Sequence, residues 1–294
     1  MKYFDLHCDT LTEILPTKGS LFHNHRMVDL SLQNFEQYTQ VMAIFCHPAR
    51  TADDAWALFE SCLAHLTSMQ VTLPSSFCPL LSVENASLIG NRIERIDRMA
   101  EAGVRLMNPV WAGDNLLGGA WDTHNGLTDF GRAAILRAYA NKIIPDLSHA
   151  SDETAKEILK MAAKRNYPVI ASHSCARTIH PHRRNLPDDF AKEIMASGGV
   201  IGLSFYPRHL TEGDCDRDTI RRHLEHYLSL GGEDHLAIGA DWDGIEITPD
   251  GVTNIGDIPA LANELAQQGW SEKLLRKVFY QNAANFMNRA YILL

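Results

Sequence analysis

KIIPDLSHASDETAKEILKMAAKRNYPVIASHS, residues 142–174, decides the architecture. An apolar run, 142–147, precedes SDETAKEILKMAAKRN, whose apolar residues recur at helical spacing. A second apolar run follows at 168–172. The helical stretch opens on Ser151 or Asp152 and an acidic first turn, as a capped N-terminus does. Strand, helix, strand in a single unit implies two parallel strands joined by a right-handed crossover. A histidine follows each apolar run, His149 two residues after the first and His173 directly after the second.

The same alternation extends in both directions. Apolar runs lie at 3–6, 41–45, 79–83, 104–107, 200–205 and 236–240, making eight with the two above. Stretches with helical periodicity separate them, among them DDAWALFESCLAHLTSM, DFGRAAILRAYANK and RDTIRRHLEHYLSLGG. Eight such units in 294 residues predict a (β/α)8 barrel, the TIM-barrel form of the α/β class, with residues 1–294 as one domain. An open doubly wound sheet is the alternative, but no GxGxxG follows the first run. No Gly/Ser linker or repeat divides the chain, and a short hairpin-like insertion is expected near 208–217.

Composition narrows the function. Hydrophobic residues make up 45% and charged residues 21%, which suits a folded globule. With 27 Lys and Arg against 36 Asp and Glu, the formal charge is −9, which speaks against nucleic acid or an anionic membrane as the partner. The six cysteines are scattered without a CxxC pair, and the N-terminus lacks an apolar leader segment. The expectation is a cytosolic protein with reduced thiols and no membrane span.

Residues with distinctive chemistry follow the strand runs: His7 and Asp9 in DLHCDT, Glu84 in LSVEN, His149 in DLSHAS, His173 in ASHS, Asp241 and Asp243 in IGADWDG. Barrel enzymes assemble their sites at this end of the strands. Alternation along an extended chain puts His7 and Asp9 on one face and turns Cys8 away, so the pair can grip one metal. Singly, each residue has an ordinary reading as a loop histidine, a helix-dipole partner or a turn former. Together, imidazoles and carboxylates clustered at strand ends call for a divalent cation. His23, His25 and His65 read as surface, His223 and His226 as one helix face, and His47 as a lesser candidate for the pocket.

The ordered set DLHCDT, LSVE, DLSHAS, ASHS, RRNLPDD and IGADWDG, with the tail QNAANFMNRAY, resembles the renal (membrane) dipeptidases, peptidase family M19 of the amidohydrolase superfamily. The resemblance implies two zinc ions, one on His7 and Asp9 and the other on His149 and His173, bridged by Glu84. It implies a water or hydroxide between the metals as nucleophile, with Asp241 receiving its proton and passing it to the leaving amine. Arg184 would anchor the free carboxylate of a dipeptide, and His209 falls where the family carries a pocket side chain. Tolerance of a C-terminal D-residue and association as a homodimer are also implied. The chain departs from the family in NPVWAGDN, where Trp111 occupies the position of a histidine, and at Asn85-Ala86, where Gly-Gly is common. Trp111 is expected to wall the substrate pocket. Two alternatives to a dipeptidase are a metal-dependent hydrolase of another small amide or lactone, and a catalytically weak metal-binding homologue.

Overall fold

The computed structural model describes residues 1–293, with side chains described through residue 290. Its eight strands are β1 (Lys2–Cys8), β2 (Gln37–Phe45), β3 (Phe77–Glu84), β4 (Val104–Met107), β5 (Ile144–Pro145), β6 (Ile170–Ala171), β7 (Val200–Leu203) and β8 (Leu236–Ile238). Every predicted run overlaps one of them. The helices are α1 (Thr10–Ile14), α2 (Ala52–Met69), α3 (Arg95–Glu101), α4 (Asp129–Ala140), α5 (Asp152–Ala163), α6 (Asp188–Ala196), α7 (Pro207–Leu210), α8 (Arg217–Ser229), α9 (Ile258–Gln267), α10 (Glu272–Arg276) and α11 (Asn282–Leu293). Ser151 is the N-cap of α5, its hydroxyl accepting the Thr154 N–H at 3.0 Å. The hairpin expected near 208–217 is not formed. Pro207, whose fixed φ suits the first position of a helix, starts the single turn α7 instead.

All named strand pairs are parallel, in the order β5-β4-β3-β2-β1-β8-β7-β6. The ring closes between β5 and β6 through a parallel bridge of Asp146 with Ile170 and the bond from Leu147 N–H to Ile170 O, 2.8 Å. The result is the expected (β/α)8 barrel. Two seams are thin. β5 and β6 have two residues each, Pro145 having no N–H to give a ladder, and β1 meets β8 at the one register pair Asp5–Ile238.

Phe4, Leu6, Val41, Leu106, Ile144 and Ile170 fill the inside of the ring, while Tyr3, Tyr38, Cys8 and Met42 pack in the larger core outside it. The inner set is stoppered by Ala283, Phe286, Met287 and Ala290, a face of α11 with spacing three, four and seven. One end of the barrel is therefore apolar and plugged, which leaves the other for chemistry. Among the described residues no helix is long and apolar enough to cross a membrane.

Candidate metal centre

Local backbone explains how each side chain reaches the barrel axis. Asp5 pairs with Gln40 and Cys8 with Met42, so β1 carries one residue more than β2 over this interval. This bulge returns Cys8 to the outer core and sets Leu6 and His7 side by side. Asp9 lies beyond the strand at the entry of α1, with φ −100° and ψ 7°, rather than on a continued extended chain. Glu84 ends β3 and is in phase with Leu80, which packs on the inner cluster. Asn85, His149, Asp241 and Asp243 all have left-handed φ, from 62° to 73°. Residues other than glycine hold this conformation at a cost of about 1–3 kcal/mol each, and only where surroundings enforce it. At Asn85 the side chain donates to Cys46 O at 2.6 Å and accepts from Asn115, so asparagine serves where glycine would be at ease.

His7, Asp9, Glu84, His149 and His173 come together as predicted, all buried or nearly so. His7, Asp9 and Glu84 form one group whose ligand atoms lie within 4.8 Å of one another, and Glu84, His149 and His173 form a second. Glu84 belongs to both, and a third group, His7, His173 and Asp241, draws on the same cluster without it. Glu84 Oε1 is 2.8 Å from His149 Nε2 and 3.5 Å from His173 Nε2, and its Oε2 is 3.6 Å from His7 Nε2. Asp241 approaches the same His7 nitrogen at 3.8 Å. His7 Nε2 and Asp9 Oδ1 are buried without a hydrogen-bond partner. A Cβ at Gly244 would collide with Asp9 Oδ2 and Asp241 Oδ1, so glycine is what lets the two carboxylates converge.

These residues suit a divalent cation. His149 Nδ1 is 3.2 Å from Trp111 O, a carbonyl that can only accept, which leaves its Nε2 as a lone pair. His173 Nδ1 is engaged by Ser172 Oγ at 2.7 Å, and its Nε2 faces His149 Nε2 at 2.9 Å. Two imidazole lone pairs and a carboxylate aimed at one point, beside an unpartnered His and Asp, form a nitrogen and oxygen donor set in need of positive charge.

Electrostatics agree. Burial would lower the His7 imidazole, but Glu84, Asp9 and Asp241 raise it to about 10. Burial and Arg184 take His149 down to about 4, and burial with His7 lowers His173. Glu84 stays ionised despite burial because His7 and His149 surround it. Burial raises Asp9, with Glu84 adding to it, and lifts Asp241 to about 6, with His7 opposing.

A cleft of about 310 Å³ opens over the cluster, with Trp111, Trp121, Arg184, Tyr206, His209 and Asp241 on its walls. Arg184 is buried, donating to Ser174 Oγ at 3.3 Å and His173 O at 3.1 Å, with its Nε unpartnered. His209 packs edge-on against Tyr206, ring centroids 4.7 Å apart. Asp241 and Asp243 do not share one extended face, because both residues are left-handed. Asp243 borders the cleft but accepts from Thr10 Oγ1 at 2.5 Å and Met27 N at 2.8 Å. His47 is exposed, outside the cleft lining, and accepts the Ala49 N–H. His223 is buried and bonded to Ala176 N and Leu210 O. Two buried carboxylates, Asp5 and Asp146, escaped the sequence reading; the one trace is that Asp-Leu comes just before the candidate ligand histidine in both DLHCDT and DLSHAS.

The pattern of the membrane dipeptidases, peptidase family M19, matches residues 61–291. An uncharacterized protein in the pqqA 5' region of Klebsiella pneumoniae is 35% identical over 194 residues, 62% of this chain and 70% of that protein. Dipeptidase verJ of Clonostachys rogersoniana is 25% identical over 273 residues, 92% of this chain and 65% of that protein. Among solved structures, a metallopeptidase from Rhodobacter sphaeroides, liganded with a phosphinate mimic of the dipeptide L-Ala-D-Ala, superposes with a TM-score of 0.90. It is 23% identical, with 99% of each chain covered. A dipeptidase of family M19 gives 0.90 at 24% identity, also covering 99% of each chain.

Proposed function

The chain belongs to the membrane dipeptidase family, peptidase family M19, and on that footing we propose that it is a binuclear zinc dipeptidase. The observation that carries the proposal is the pair of ligand groups that share Glu84. In this reading His7 and Asp9 hold one ion, His149 and His173 hold the other, and Glu84 bridges them. Bound divalent ions there supply a water acidified into a nucleophile and a polarised scissile carbonyl. The chain's own residues do the rest. Arg184 receives the C-terminal carboxylate, Trp111 and His209 wall the peptide, and Asp241 takes up a proton and delivers it to the leaving amine. Burial that lifts Asp241 to about 6 suits a group that both accepts and returns a proton. Acceptance of a C-terminal D-residue draws support from the L-Ala-D-Ala mimic in the Rhodobacter sphaeroides relative. The six cysteines, all unpaired thiols, accord with a cytosolic setting.

Elemental analysis of metal-loaded, dialysed protein, combined with a hydrolysis panel of dipeptides, small amides and lactones, tests this. Two equivalents of metal with dipeptide cleavage is the expected result. Metal with cleavage of other amides or lactones alone moves the reading to the broader hydrolase. Metal without turnover identifies a weak homologue.

A further inference from the structure

Asp5 and Asp146 lie outside all three ligand groups and are buried, 0% and 1% exposed. Each uses a single carboxylate oxygen to collect two main-chain N–H groups from two different strand ends. Asp146 Oδ1 accepts from Ser148 N at 3.0 Å and Ser172 N at 2.9 Å. Asp5 Oδ1 accepts from His7 N at 3.1 Å and Ala240 N at 3.0 Å. The residues clamped are the neighbours of the chemistry. Ser148 precedes His149, Ser172 precedes His173, and Ala240 precedes Asp241. The clamps also span the two seams of the barrel with the fewest ladder pairs, β5 to β6, joined by the bridge of Asp146 with Ile170, and β1 to β8, joined by the pair Asp5–Ile238 and the bridge of Cys8 with Trp242.

Two further features mark this as more than closure of the ring. His149 and Asp241, each following a clamped N–H, are left-handed at φ 73° and 69°, and strain of this kind persists only when neighbouring bonds over-determine it. Asp146 leaves its second oxygen, Oδ2, buried without a partner. A carboxylate so placed is costly, and an apolar side chain would pack the position without that penalty. Ser148 extends the Asp146 clamp, since its Oγ accepts the His173 N–H at 3.0 Å and meets Ser174 Oγ at 3.1 Å, the group that Arg184 touches.

We propose that Asp5 and Asp146 are positioning residues that set the spacing of the metal ligands from behind, Asp146 for His149 and His173, Asp5 for His7 and for Asp241. The inference rests on the reading of these residues as ligands to two ions. Outer groups of this kind typically change metal affinity roughly 10–100-fold.

Titration of metal-free protein with Co²⁺, followed by its visible spectrum and by zinc competition against a chromophoric chelator, tests it. Wild type should take two equivalents. Asp146→Ala should keep one at wild-type affinity and bind the other roughly 10–100-fold more weakly. Asp5→Ala should weaken the equivalent held through His7 instead. Asp146→Asn should stay within about threefold of wild type, because its carbonyl oxygen still accepts both N–H groups and only the unpartnered oxygen is replaced. If the alanine chain does not fold, Asp146→Ser, too short to reach both donors, takes its place. Folded Asp146→Ala with both equivalents at full affinity overturns the proposal and leaves the carboxylate to the fold alone. An asparagine variant as weak as alanine overturns it too, since charge would then matter in place of the two bonds. A wild-type chain that binds no metal removes the ligand reading itself, a separate failure.

Discussion

Trp111 meets His149 twice, once through its carbonyl oxygen, 3.2 Å from Nδ1, and once through its indole, whose ring centroid lies 5.9 Å from that of the imidazole with the planes inclined by 30°. The first contact belongs to the main chain and survives any side chain at position 111. The second belongs to the indole, which also packs on Phe45 at 4.9 Å. Trp111→His should therefore leave the orientation of His149 and metal content intact. It should re-rank a dipeptide panel by several-fold in kcat/KM, away from apolar N-terminal side chains, as an apolar wall of about 1–3 kcal/mol is removed. An unchanged ranking would place the indole away from the substrate.

Much of this was legible from residues 142–174 and their repeats, because buried parallel strands are apolar runs and barrel helices carry a polar face. The convergence of His7, Glu84, His149 and His173 was legible for the same reason, since strand ends in a barrel share one rim. Other features leave no periodic mark. The bulge that places His7 is one extra residue between Asp5 and Cys8, and nothing in the local pattern announces it. Alternation would put Asp241 and Asp243 on one face, but it presumes extended backbone, whereas both residues are left-handed. Asp5 was invisible as a clamp because one of its donors, Ala240, is 235 residues away. The helix of QNAANFMNRAY was legible, but not that its apolar face stoppers the barrel.

Metal removal should destabilise the fold. Without cations, the site holds Glu84, Asp9 and Asp241 at close quarters with a largely unpartnered His7, and any ion that binds only the folded chain adds stability. At a free concentration one hundred times its dissociation constant, one ion contributes about 2.7 kcal/mol. For a chain of this size that is a fall in Tm of about 4 °C for each ion chelated, read by calorimetry with and without EDTA. Glu84→Gln should weaken both equivalents together, since Glu84 is common to both groups. Independent loss of a single equivalent would show that Glu84 is no bridge.

Asp241 and Asp243 should separate cleanly by substitution. Asp241→Asn keeps the shape and removes the site that takes the proton, so kcat should fall roughly 10²–10⁴-fold with metal content and Tm near wild type. Asp243→Asn instead disturbs the bonds to Thr10 Oγ1 and to the N–H groups of Met27 and Val28. It should cost stability, about 1–3 kcal/mol, and act on turnover only through the loosened start of α1. The opposite result, full turnover in Asp241→Asn, would transfer the proton role to Asp243.

In the proposed reading, Arg184 sets the length of substrate the cleft accepts. It is held from the His173 side, by Ser174 Oγ and His173 O, so its distance from the candidate ligand His173 is fixed by the segment that follows β6. Those bonds use two of its five N–H groups, and Nε among the remainder is buried and unpartnered. Burial lowers the guanidinium, opposed by Asp241 and Glu84, but at neutral pH it keeps its charge. An anchored carboxylate then puts the peptide bond one residue away over Glu84, with the free amine on the side of the acidic groups. A tripeptide would have to push its extra residue into those carboxylates, and a C-terminal amide offers no charge to the fork. A charge-assisted pair of hydrogen bonds is worth about 1.5–3 kcal/mol, so a dipeptide should exceed its own amide by roughly 10–100-fold in kcat/KM. Arg184→Lys should erase most of that preference, because a point charge cannot reach the carboxylate, Ser174 and His173 O together. Measured side by side, equal rates on dipeptide and amide in the wild-type enzyme would take Arg184 out of substrate recognition. The length limit would then have to come from the cleft walls, Trp121 and Tyr206 first among them.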